Sequence, residues 1–206
     1  MQADWPKRRT ILGRGLLALQ LRCGAEDLAD GAKASVATIT SKERPREYHH
    51  LFPVSILEEA EIPDEEIYRA LNYALITWRT NRTISNKAPV TYLKERVDNS
   101  TLGEEELRRR LKTHLIPYAL LSVGYDGLGT EERRARMKAD YAAFLAARAE
   151  LFTKAAHCVC EGKALELSEL FDGNDLAGGW CSRQIPATSG FDLERAHYTG
   201  DSTRLE

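Results

Sequence analysis

Glu47-Tyr48-His49-His50-Leu51-Phe52-Pro53 is the stretch from which the rest of the chain is best interpreted. Pro53 closes a short run carrying two adjacent histidines, so residues 47–52 are predicted to form a short strand. Asn72 then opens the aromatic and β-branched run Tyr73–Trp78, which predicts a second strand. Asn81 follows in Arg79-Thr80-Asn81-Arg82, on a short helix that Thr77 or Thr80 would cap. His49, His50, Asn72 and Asn81 are the candidate site, and the asparagines lie 22 and 31 residues beyond His50.

These residue types suit phosphodiester hydrolysis. Neutral imidazole, with an unperturbed pKa of about 6.5, accepts a proton from water near neutral pH. A divalent cation neutralises charge developing on phosphate and leaving oxygen. Neighbouring residues on a strand point to opposite sides, so one histidine is expected to bind metal while the other faces water. Asparagine offers a carbonyl oxygen to a hard cation, or an amide that fixes a loop.

Outward from the motif, helices are predicted over residues 8–22, Val54–Ala60, Pro63 to about Ala70, Val90–Val97 and Glu104–Leu115. Residues 23–46 and 124–129 are expected as loops. Thr130 is predicted to cap the longest helix, reaching about Cys160, with Met137, Tyr141, Phe144, Leu145, Leu151, Phe152, Ala155 and Val159 on its apolar stripe. Beyond Asp172 the chain is glycine-rich and aperiodic. The expected fold class is α+β and mostly helical: a small two-stranded element at the motif, surrounded by helices including one long C-terminal helix.

With 206 residues the chain is long enough for one well-buried domain. No apolar run approaches the ~18 residues of a membrane span, and Lys7-Arg8-Arg9 precedes no long apolar segment that would make a signal peptide. Cys23, Cys158, Cys160 and Cys181 form no C-x-x-C pair, which fits free thiols in a reducing cytoplasm. The net charge of −2 hides an asymmetry: residues 73–97 carry five basic side chains against Glu95, while residues 54–70 carry six acids against Arg69. Positive charge gathers near the motif, as a phosphate-facing side requires.

The His-His pair ending one strand, the Asn heading the next and the Asn nine residues later resemble the HNH (ββα-metal) endonucleases. More narrowly, Tyr48–Pro53, Asn72–Thr77 and Thr80–Pro89 resemble the C-terminal nuclease domain of GmrSD-type restriction enzymes, a likeness extending over roughly residues 10–160. The resemblance implies a ββα-metal core at 47–97, helical support at 101–160 and a nuclease domain over 1–172; composition makes 173–206 an expected extended tail. It implies His50 as general base, Asn72 as the residue holding the base-bearing loop, and His49 and Asn81 as metal ligands. Glu47 would support or join that ligand set; Arg82, then Arg79 and Lys87, are the candidate phosphate contacts. The position before the base is often a carboxylate in this superfamily and is histidine here. Neutral ligands leave Mg²⁺ dependent on water and phosphate and admit Mn²⁺ or Ni²⁺. The implied activity is metal-dependent DNA cleavage in restriction or anti-phage defence; the alternatives are a degenerate module that binds DNA without cutting, or a nuclease acting on RNA. Enzymes of this type usually carry a nucleotide-hydrolysing domain, but no G-x-x-x-x-G-K loop occurs here. That role would fall to an N-terminal domain or a separate regulatory subunit.

Overall fold

A computed structural model describes residues 11–40, 46–99 and 103–171. The Lys7-Arg8-Arg9 start and the predicted tail over 173–206 lie outside these residues. The chain is mostly helical around one two-stranded antiparallel sheet. Helices α1 (Ile11–Arg22) and α2 (Val36–Thr40) precede strand β1 (Arg46–His50). Short helices α3 (Val54–Glu59) and α4 (Asp64–Ile67) and a 3₁₀ turn (Ala70–Asn72) lead into β2 (Tyr73–Thr77). Then come α5 (Trp78–Ile84), α6 (Pro89–Asp98), α7 (Gly103–Thr113), α8 (Tyr118–Leu121), the long α9 (Thr130–Cys160) and α10 (Leu167–Leu170).

The strands pair with His50 opposite Tyr73 and His49 opposite Ala74. Tyr73, Ala74, Leu75 and Ile76 are all buried, so β2 is a fully covered strand, as its continuous apolar run implies. Helix α9 packs behind the motif. Its Tyr141 and Phe144 rings pack on Phe52 at centroid distances of 5.4 and 5.2 Å. The apolar stripe of α9 is buried as predicted except at Val159, which is exposed.

Several local expectations are corrected. Gly129, not Thr130, occupies the N-cap of α9 and makes no side-chain cap. The helix after Pro63 stops at Ile67, because the chain tightens into the 3₁₀ turn that delivers Asn72. The loop predicted over 23–46 contains α2. Trp78, placed at the end of the second predicted strand, instead begins α5 and is 37% exposed. Arg110, within the charged run of the helix predicted over Glu104–Leu115, is buried: besides Glu106 it donates to the carbonyls of Leu28 and Ala29. No helix among the described residues is long and apolar enough to cross a membrane.

His114 is buried at the end of α7, where its Nε2–H donates to the Glu26 carbonyl at 2.6 Å. Burial pushes its pKa down to about 4; the Glu26 carbonyl and Asp27 oppose this, while Arg148 and Arg46 add to it. In the unfolded chain it titrates near 6.5, so between these values the unfolded state binds more protons. Stability is therefore fully present above about pH 6.5 and lost as pH falls toward 4, by about 3 kcal/mol from this residue. Urea midpoints measured between pH 7.5 and 4.5 should fall accordingly, and His114→Gln should flatten that slope by about one proton.

Candidate functional site

The motif folds as strand, strand and helix, and its residues converge although they lie far apart in sequence. Thr77 caps α5, its hydroxyl accepting from Thr80 N–H at 3.2 Å. That cap turns the helix immediately after β2, so Asn81 meets β1 from the side. His49 Nδ1 lies 2.8 Å from Asn81 Oδ1. Asn81 Nδ2 donates to Glu47 Oε2 at 2.6 Å, consistent with Glu47 and His49 sharing a strand face.

His50 is held differently. Its Nε2 is 2.6 Å from the hydroxyl of Tyr73, the residue directly opposite it on β2. Tyr68 meets the same ring edge-on at 5.5 Å. Tyr73 is thus a core residue that also positions a site residue, a role its apolar neighbours concealed in the sequence. Burial pushes His49 and His50 each down to about 4, the first opposed by the Asn81 hydrogen bond, the second assisted by its neighbour His49. Both rings are therefore neutral near pH 7, the form required of a base or a ligand.

Asn72 is fully buried and does structural work. Its Oδ1 accepts from Phe52 N–H at 2.9 Å, and its Nδ2 donates to the Phe52 and Ile67 carbonyls at 3.0 and 3.2 Å. The turn that follows the histidines is clamped from both sides.

His49, His50, Asn81, Arg82, Ser85 and Asn86 line one cleft of about 320 Å³. Of the three candidate phosphate contacts, Arg82 lines the cleft and lies over the Trp78 ring at 5.1 Å. Arg79 is exposed on α5 and is not part of the lining. Lys87 is turned away into an ion pair with Glu95 at 2.6 Å.

Sequence reasoning missed Asp27. It is fully buried and accepts from Thr77 N–H at 2.7 Å and from the Thr80 hydroxyl at 2.6 Å, tying the β2–α5 junction to the loop after α1. Burial works to raise its carboxyl, but hydrogen bonds from Thr77, Thr80, Ala29 and Asp30 outweigh that and hold it below the usual carboxylate range. No local pattern marks such a residue, since its partners lie 50 and 53 residues away.

The donor set fits a divalent cation. Donors about 2.1 Å from one octahedral ion and at right angles to each other lie roughly 3.0 Å apart, close to the 2.8 Å between His49 Nδ1 and Asn81 Oδ1. Facing an acceptor oxygen, Nδ1 carries the proton, and the buried Nε2 has no hydrogen-bond partner among the described residues. Ligation through Nδ1 would move that proton to Nε2. Among the described residues no three His, Cys, Asp or Glu side chains converge on a metal-sized site, His157, Cys158 and Cys160 included. Water and phosphate would have to complete the shell.

Comparison with known proteins adds one partial likeness. The uncharacterized protein MJ0686 of Methanocaldococcus jannaschii is 38% identical over 77 residues, covering 34% of this chain and 13% of that protein. The chain thus matches a small part of that relative's length. No family model and no solved structure matches.

Proposed function

We propose that this chain is a metal-dependent endonuclease of the HNH (ββα-metal) type that hydrolyses DNA, serving as the nuclease part of a restriction or anti-phage defence protein. The observation that carries this reading is the convergence of His49 and Asn81 at 2.8 Å in a cleft that also holds His50 and Arg82. A divalent ion held by His49 Nδ1 and Asn81 Oδ1, Mg²⁺ first with Mn²⁺ or Ni²⁺ as softer alternatives, would supply charge neutralisation on the scissile phosphate. Glu47 keeps the Asn81 amide turned so that its oxygen faces His49. His50, fixed through Nε2 by Tyr73, would take the proton of the attacking water at Nδ1. Arg82 would hold the phosphate backbone. Specificity and regulation would come from a partner domain or subunit.

The test is plasmid cleavage by the full chain with Mg²⁺ or Mn²⁺, with and without chelator. Cleavage should vanish in EDTA. His49→Ala and Asn81→Ala should raise the metal concentration for half-maximal cleavage by about 10- to 100-fold. DNA binding that persists in chelator, with no cutting under any metal, would instead assign a binding module. Preferential cleavage of RNA would reassign the substrate.

A further inference from the structure

Helix α5 ends in an unusual turn on the wall of the cleft. Ser85 N–H donates to the Asn81 carbonyl at 2.8 Å, and Lys87 N–H to the Ile84 carbonyl at 3.3 Å. Residues 84–87 thereby close a tight turn with Ser85 and Asn86 at its centre. Ser85 has φ 52° and ψ −135°, the first central position of a type II′ turn, where glycine is the usual occupant. A serine held there is strained. The turn itself does not call for a hydroxyl: neither Ser85 Oγ nor the Asn86 amide group finds a partner among the described residues. The backbone N–H of Asn86 likewise has no acceptor among them.

Both residues are exposed and line the cleft beside Asn81 and Arg82. Among the described residues Arg82 has no carboxylate partner, and no Asp or Glu lines the cleft. The wall therefore offers hydroxyl, amide, backbone N–H and guanidinium donors that no acceptor among the described residues satisfies. That donor set fits an anion bearing several acceptor oxygens.

We propose that the Ser85–Asn86 turn is a seat for a backbone phosphate of the nucleic acid, next to the phosphate held at His49 and Asn81, with Arg82 closing it. This rests on the nuclease reading for which strand occupies the cleft, but not for the chemistry of the seat. The strain at Ser85 is then retained because the hydroxyl contacts the ligand, at a position where glycine would be more comfortable.

The test measures binding apart from cutting. Full-length protein is titrated in EDTA with a short DNA duplex, and with the same duplex carrying neutral methylphosphonate linkages. Ser85→Gly should raise Tm by about 2–4 °C and weaken binding to the ordinary duplex about 5- to 10-fold. Asn86→Ala should weaken binding similarly without the rise in Tm. On the duplex whose seated linkage is neutral, both variants should bind as wild type does. Wild-type affinity in both variants, with cleavage intact, would overturn the phosphate seat and leave the nuclease reading standing. A wild-type protein that neither binds nor cuts DNA would overturn both.

Discussion

His50→Ala is expected to slow DNA cleavage by about 10²–10⁴-fold, the usual contribution of a positioned general base. Tm should stay within about 3 °C of wild type. The half-buried ring ends β1 and contacts Tyr73 and Tyr68, but it closes none of the hydrogen bonds that hold the following turn. Those belong to Asn72. Duplex binding in Ca²⁺ should be unchanged, because the proposed phosphate-facing donors lie on Arg82 and the turn after α5. Single-turnover rates at saturating metal measure the effect without confusing it with metal loss. Equal rates for the variant and the wild type would remove His50 from the role of base and leave the neighbouring ligand pair untouched.

The largest effect on stability is expected from Arg148→Ala. Arg148 lies in the middle of α9, is 0% exposed, and pairs with no carboxylate among the described residues. Its Nε and two Nη groups donate to the carbonyls of Leu115, Leu71 and His114. Burial pushes its pKa down to about 9, with Tyr92 opposing, so it remains protonated at pH 7. Truncation would leave three buried carbonyls without donors and open a cavity against Phe152, whose ring lies 5.4 Å from the guanidinium. A loss of about 3–5 kcal/mol is expected, a large share of the stability of an ordinary domain. Arg148→Met should recover only the packing part, since the carbonyls stay unpaired. Arg148→Lys should fall between, because one ammonium cannot span three carbonyls. Urea unfolding of all three variants checks the order; a shift below 1 kcal/mol for Arg148→Ala would show that water satisfies those carbonyls.

Much of the motif was legible because its logic is local. The alternation of strand residues, the Thr77 cap and the spacing of Asn72 and Asn81 depend on short-range geometry, and all appear in the structure. The long helix was legible for the same reason, its apolar stripe repeating with helical period. Asp27, Arg148 and Arg110 were not legible, since a buried charge is explained by partners that folding brings from 33 to 82 residues away. Arg148 hid on the buried face of α9 among residues that read as apolar, and Arg110 hid in a charged run typical of a solvated face. Trp78 was misplaced because its aromatic character suggested a core strand, whereas Thr77 had already ended the strand and begun a helix. Ser85 gave no signal, because glycine was absent where a turn of that type would ordinarily show one.

The position of α9 limits how the candidate motif could be transplanted. Residues 46–98 contain every proposed ligand and the proposed base, which invites treating them as a portable cassette. Yet Tyr141 donates to the Glu66 carbonyl, Phe144 packs on Phe52, and Arg148 donates to the Leu71 carbonyl beside Asn72. Three successive turns of one helix, which begins only after another 31 residues of chain, hold the loop between the two strands. A fragment ending after α6 would expose that loop's apolar side and leave Asn72 without its support. Grafting the motif into another scaffold would therefore mean carrying α9 with it, or supplying a buried cation from elsewhere.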